Sequence, residues 1–308
     1  MKKNEFFESL SSARGIEVDK KYYAKTYTEN IYPGRMAENH IRMFCKGEGK
    51  ELYPKDGMKE KAACLYSSSM LSYNFFHWIS ANRPLVFDGV KYTHVVFEEQ
   101  FRVLKNRNNK ANLDVVLVSD GEGQDRTVLL LESKFTEHFK TGPVEIKPAY
   151  DDAEDGYFAY GEEWVGVIKQ LRERMGTDEK TYFEGLKQVT CHLIGISNVI
   201  ENLDARDKWF NKNSWLYDQY GIRLTGKERF LFKSLVFHPK TKEESDLSAD
   251  YEQKNKDFVS ANMGFLPNNI HIDDPIITYR DLWDRGLKES IKNPELMYYL
   301  ERFLGAHK

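Results

Sequence analysis

An α/β fold is what this sequence predicts, and three observations predict it. Two runs of branched apolar residues, 112–118 and 127–135, flank a polar, glycine-bearing turn over 119–126. After them Tyr182, Leu186, Val189, Leu193, Ile196 and Ile200 recur at steps of four and three, the stripe of an amphipathic helix. Strand-like and helix-like runs then continue to the C-terminus. Strands and helices therefore share one chain, in the manner of a sheet covered by helices.

Residues 1–58 are charged and rich in tyrosine, with a turn at Tyr32-Pro33-Gly34 and a second break across 47–57. They read as an N-terminal arm with some helix, packed on a core formed by 59–308. Residues 59–80 look helical, because Leu65, Leu71, Phe75 and Trp78 can share a face with Met70. Ser67, Ser69 and Asn74 lie on that helix. A first core strand follows over 92–101, its apolar stretch ending in Glu98 and Glu99, which point to opposite faces. Arg102, Lys105, Arg107 and Lys110, with Asn106, Asn108 and Asn109, make a basic stretch leading into the next strand. Such charge runs serve as solvated loops or as grips for anions.

The hairpin carries the chemistry. Folded about Gly123, it places residue 114 opposite residue 132. Side chains alternate along a strand, so Glu132 and Lys134 point one way and Ser133 the other. Asp114, Glu132 and Lys134 thus share a surface. Solvated edge charges are one reading, in which the Glu–Lys pair contributes little. Against it, Val128 to Leu131 is continuously apolar, as in a strand buried on both faces. Charges at the end of such a strand need partners or a cation.

Beyond Phe135 a charged, aromatic stretch reaches Tyr160, with breaks at Gly142-Pro143 and Lys147-Pro148, and reads as a loop or insertion able to cover a cleft. On the helix from 181, Gln188 and His192 are four apart and stack on one flank. His192 reads either as a satisfied, partly buried histidine or as a phosphate contact. The last third offers strands over 229–237 and 275–279, a charged segment over 240–256, and helices over 279–290 and 294–304. Trp283, Tyr298 and Phe303 suit a core better than a base-stacking platform. No repeat or separate linker is present.

Asp114, followed eighteen positions later by Glu132-Ser133-Lys134, resembles the Asp…Glu-x-Lys signature of the PD-(D/E)XK nuclease superfamily, the restriction-endonuclease-like fold. The longer strings Leu113-Asp114-Val115-Val116-Leu117 and Leu131-Glu132-Ser133-Lys134-Phe135-Thr136-Glu137 resemble a bacterial branch of it. The likeness covers about residues 95–200. It departs at Leu113, where the superfamily's name has proline, a departure that its members commonly tolerate. The resemblance implies a mixed central sheet flanked by helices and Mg²⁺-dependent hydrolysis of phosphodiester bonds in DNA, with Mn²⁺ able to substitute. Asp114 and Glu132 would hold the metal with the backbone carbonyl of Ser133, and Glu98 is a further acid. Lys134 would orient water or stabilise the transition state. Lys105, Arg107 and Lys110 would grip phosphates, and Gln188 would stand beside the site. Hydroxyls of the first helix would lend the site a polar group or serve only packing and capping. Homodimers are common among such proteins. Two other readings stay open: a catalytically inactive nuclease-fold module that binds DNA or protein, and a hydrolase of smaller phosphate esters.

Composition bounds these readings. The 308 residues are 41% apolar and 14% aromatic, enough to bury a core. A net charge of −3 provides no global basic field for nucleic acid, although a carboxylate cluster awaiting a metal adds negative charge of its own. Cys45, Cys64 and Cys191 are scattered and odd in number, which suits reduced thiols, and the eight histidines show no metal-ligand spacing. No signal peptide or membrane-length apolar run is visible, so a cytoplasmic location is expected. Gly121-Glu122-Gly123 lacks the third glycine and the helix of a dinucleotide site, and no P-loop, HExxH or nucleophile elbow occurs.

Overall fold

A computed structural model of the chain describes residues 3–32, 34–46, 51–54, 57–135, 142–177, 182–237 and 242–290. Three helices open it: α1 (Lys3–Arg14), α2 (Tyr27–Asn30) and α3 (Glu38–Lys46). Then come α4 (Ser68–Phe76) and the strands β1 (Leu85–Phe87), β2 (Val90–Arg102), β3 (Lys110–Ser119) and β4 (Thr127–Lys134). Helices α5 (Gly161–Thr177) and α6 (Phe183–Glu201) follow, then a π-helical stretch, Asp204–Phe210, leading into α7 (Asn211–Asn213) and α8 (Trp215–Tyr220). The remainder is β5 (Arg229–Val236), α9 (Lys242–Asn262), β6 (Ile270–His271), β7 (Ile276–Thr278) and α10 (Tyr279–Leu282), which runs on through a π-helical stretch, Trp283–Leu287, into a last helical turn, Lys288–Ser290.

The strands form one mixed sheet in the order β1-β2-β3-β4-β5-β6, with β7 also on β5. Neighbours from β1 to β4 are antiparallel, and β5 pairs parallel with β4, β6 and β7. Parallel pairing of β4 with β5 requires a crossover, which the helices from α5 to α8 supply. Every residue of β4 is buried, as a central strand covered on both faces must be. The Glu132 carboxylate meets His192 of α6, whereas the Ser133 hydroxyl donates to the Ser68 carbonyl at the head of α4, 3.1 Å. Successive side chains leave a strand on opposite sides, so α4 and α6 cover opposite faces.

The described N-terminal residues share this core, since Phe7, Leu10, Met43 and Phe44 belong to the same buried cluster as Val96 and Leu130. Polar side chains stitch the layer down. Asn30 donates to the carbonyls of Ala62 and Cys64, and Asn74 of α4 accepts from the Tyr32 amide at 2.7 Å.

Several expectations shift. The helix over 59–80 contracts to Ser68–Phe76, because the Ser67 side chain caps its start by accepting from the Met70 amide. Ahead of it the backbone bonds sideways, Ala24 to Ala63 and Leu65 to Tyr22, so a helix cannot continue there. Among the described residues the stretch to Tyr160 holds a short 3-10 turn, Pro148–Asp151, and Thr136, Glu137 and the rest of 136–141 lie outside them. Helix α5 went unread although Trp164, Val167, Ile168 and Leu171 carry its i, i+3, i+4, i+7 stripe. The charged segment over 240–256 falls largely within α9, which buries Tyr251, Phe258 and Val259. The helix over 294–304, with Tyr298 and Phe303, lies outside the described residues, as do Pro33 and 47–50. Trp283 is fully buried. No helix among the described residues is long and apolar enough to cross a membrane.

Candidate active site

The candidate site lies where β3 and β4 part. Their ladder runs to Val115↔Leu131, and extending the same register by one position would set Asp114 opposite Glu132. There the strands separate, and the Asp114 carboxylate replaces a backbone carbonyl: its Oδ2 accepts the Ser133 amide at 2.7 Å. Its Oδ1 lies 3.2 Å from the Ser69 hydroxyl of α4, which is also 3.2 Å from Glu98 Oε1. One hydroxyl proton serves one acceptor at a time, so these two carboxylates compete for it.

Glu98 faces Asp114 across β2 and β3, between the pairs Phe97↔Val115 and Glu99↔Leu113. Its φ of 52° lies in the left-handed region, a strained conformation for a non-glycine residue within a strand. Its neighbour Glu99 goes elsewhere. Glu99 accepts from the Ser214 hydroxyl and the Trp215 and Leu216 amides at 3.1–3.2 Å, capping α8.

Lys134 and Glu132, two apart on β4, point the same way, with Lys134 Nζ 2.5 Å from Glu132 Oε1. His192 Nε2 stands 3.0 Å from Glu132 Oε2 at ion-pair distance but off the hydrogen-bond line, so Oε2 has no hydrogen bond among the described residues. The Ser133 hydroxyl turns to the opposite face and meets the Tyr279 hydroxyl at 2.8 Å.

The electrostatics are those of a site with surplus negative charge. Burial, then the charges of Glu132 and Glu98, raise Asp114 well above the ordinary carboxylate range. Burial and the Glu51 charge push Glu98 up to about 8. Burial also works against ionised Glu132, but Lys134 and His192 outweigh it and hold the group at about 2. Three buried carboxylates thus face one lysine. A proton or a cation must make up the difference.

The donor set fits a hard divalent cation, because it is oxygen-only and Glu132 Oε2 has no hydrogen bond. As the side chains stand, no three His, Cys, Asp or Glu among the described residues surround a single point. Lys134 occupies one Glu132 oxygen, and the Ser133 amide and Ser69 hydroxyl occupy the Asp114 oxygens.

The cluster is closed. Asp114 is 9% exposed, Glu98 5%, and Glu132 and Lys134 4% each. Tyr251 of α9 stands close enough to Lys134 and Glu132 to feel both charges, its phenol pushed up to about 12 by burial. Its ring packs edge-on against Tyr182, 5.3 Å between centroids. The α6 backbone makes room for it at Gly185, where a methyl would stand 2.9 Å from the ring. Two open cavities of ≈390 and ≈410 Å³ lie elsewhere, beside Lys46, Trp215 and Asp218.

The basic stretch is only partly drawn toward this site. Lys105 and Arg107 are exposed in the β2–β3 turn, where the Lys105 amide donates to the Gly156 carbonyl and its Nζ lies 3.9 Å from Asp155. Lys110 opens β3 four residues before Asp114, ~13 Å along the strand at ~3.3 Å per residue, and donates to Gln100 at 2.8 Å. Gln188 is half-buried on α6, one turn before His192. Sequence reasoning left Ser69 as either a packing or a site hydroxyl, and in the structure it lies between two carboxylates. His192 is fully buried on Glu132. Tyr251 sat unnoticed in a segment read only as charged, with no local signal to single it out.

A family model described as restriction endonuclease associating with ARP matches residues 4–300. No curated protein and no solved structure matches the chain.

Proposed function

This chain belongs to the family described as restriction endonuclease associating with ARP, and on that premise we propose that it hydrolyses phosphodiester bonds in DNA by PD-(D/E)XK chemistry. The observation that supports the reading best is the cluster itself. Three carboxylates, Asp114, Glu132 and Glu98, are buried with the single ammonium of Lys134 at the parted ends of β3 and β4. A merely structural site gains nothing from burying carboxyls that must keep a proton or find a cation.

In this reading Asp114 and Glu132 hold Mg²⁺, with the Ser133 carbonyl and Glu98 as further oxygen donors and Mn²⁺ as a substitute. When bound, the cation supplies charge neutralisation at the phosphate and lowers the pKa of the attacking water. Lys134 orients that water and donates to the oxygens on which charge builds. Ser69 keeps Asp114 and Glu98 together. Lys105, Arg107, Lys110 and Gln188 contact backbone phosphates, which position the strand without reading its sequence. Asp114→Asn and Lys134→Ala should each abolish Mg²⁺-dependent cleavage while thermal melting stays cooperative. Undiminished cleavage by both variants refutes the assignment.

The closure of the site favours a second reading, a nuclease-fold module that binds DNA or protein without cleaving it. Calorimetric titration with Mg²⁺ and Mn²⁺ separates the two. DNA binding with no metal heat selects the module, whereas metal heat that vanishes in Asp114→Asn selects the enzyme.

A further inference from the structure

His192, from outside the β-ribbon, reaches Glu132, and its surroundings give it little else to do. It is 3% exposed within α6, flanked by the apolar stripe of Val189, Leu193 and Ile196. Its ring lies over Phe232 of β5, 5.9 Å between centroids, and its Nδ1 has no hydrogen bond among the described residues. A buried imidazole with one nitrogen unsatisfied costs stability, and an apolar side chain would fill the same space without that cost. Its Nε2 instead stands 3.0 Å from Glu132 Oε2, at ion-pair distance. Lys134 holds the other oxygen, Oε1, at 2.5 Å. Glu132 is therefore approached from two directions, hydrogen-bonded from its own strand by Lys134 and met from α6 by His192 at 3.0 Å. A carboxylate held at one oxygen still swings about its Cγ–Cδ bond. With an imidazole nitrogen 3.0 Å from the second oxygen, that swing is confined.

We infer that His192 is a positioning residue that fixes the plane of the Glu132 carboxylate, so that it meets a divalent cation together with Asp114. This rests on the function proposed above and adds to it a partner for Glu132 from outside the Asp…Glu-x-Lys motif. Groups that orient a ligating carboxylate influence metal affinity strongly although they do not touch the metal. The role needs an N–H at the position of Nε2 and nothing more. Glutamine supplies one at a similar reach, and phenylalanine fills the space without it.

The experiment is calorimetric titration of the full chain with Mn²⁺, alongside thermal melting of each metal-free protein. His192→Phe should bind Mn²⁺ about 10-fold or more weakly while its metal-free melting temperature does not fall. His192→Gln should recover most of the affinity. A packing role alone predicts the reverse, a lowered melting temperature with unchanged affinity, and that result overturns the inference. So does equal weakening in His192→Phe and His192→Gln. Metal heat in the wild type that is unchanged in His192→Phe sinks this inference and leaves the proposed function standing. Absence of metal heat in the wild type overturns both.

Discussion

Glu98 concentrates the logic of the site at a single residue. It is ordinary in sequence, one of two adjacent acids at the end of an apolar run, yet it sits buried at a left-handed φ of 52° against Ser69 and Asp114. Burial, with the Glu51 charge, raises it from the usual 4.5 to about 8. A carboxyl that holds its proton more tightly when folded stabilises the fold fully below about 4.5, and that contribution is lost as pH rises through about 8. Asp114, raised as well, acts in the same sense. Glu132, held at about 2, acts oppositely: its contribution is present above 4.5 and disappears as pH falls toward 2. In EDTA the protein should therefore melt at a lower temperature at pH 8 than at pH 5.5, and Glu98→Gln should flatten that slope. A slope unchanged in Glu98→Gln would show that the burden lies elsewhere. Two neighbouring acids pointing apart were legible from strand alternation. Which one joined the cluster was settled by α8, whose first amides and Ser214 took Glu99.

Between elements, the close approach of α6 to β2 sets how His192 meets Glu132. At Gly195 an added methyl would stand 2.6 Å from the Phe101 Cβ, closer than real carbons pack. Gly→Ala in a helix interior gains about 1 kcal/mol of propensity. Overpacking against a rigid strand costs about 1–3 kcal/mol. The neighbour here is the root of a side chain rather than its flexible tip, so overpacking wins. Gly195→Ala should lower the urea midpoint, and a midpoint at or above that of the wild type would mean α6 can shift. The amphipathic stripe that predicted this helix ends up in the core, because a 3.6-residue period survives any tertiary context that leaves the helix whole. The helix over 59–80 fared worse. Its apolar residues do pack inward, but Ser67 capped a shorter helix and the preceding backbone found partners in 22–24. Periodicity reports which side chains are inward-facing more reliably than where a helix begins.

For the molecule as a whole, the cluster buries carboxyls at a cost at the end of a fully buried strand, and under the proposed function a bound cation would offset that cost. Ligand that binds only the folded state stabilises by about 2.7 kcal/mol at ~100 times its dissociation constant. Saturating Mg²⁺ should thus raise the melting temperature of the wild type and leave that of Asp114→Asn where it was. An equal rise in both would place the cation at another site. With the four charged side chains at most 9% exposed, a DNA phosphate reaches them only if the cover formed by α4, Tyr251 and their neighbours opens. The buried face of α9 has little to betray it locally, because the helix is largely charged and Tyr251, which feels the cluster's charges, comes from more than a hundred residues beyond Glu132.

From the sequence alone came the alternation and apolar runs of β3 and β4, the hairpin about Gly123, and the register that sets Asp114 across from Glu132. These are short-range properties, carried by strand periodicity and a turn only a few residues long. Only the tertiary structure brought Ser69, His192 and Tyr251 to those carboxylates, committed Glu99 to α8, and closed the cluster from solvent. The reason is physical. Each of those contacts depends on how helices distant in sequence pack onto the sheet, and no local period encodes where a helix docks.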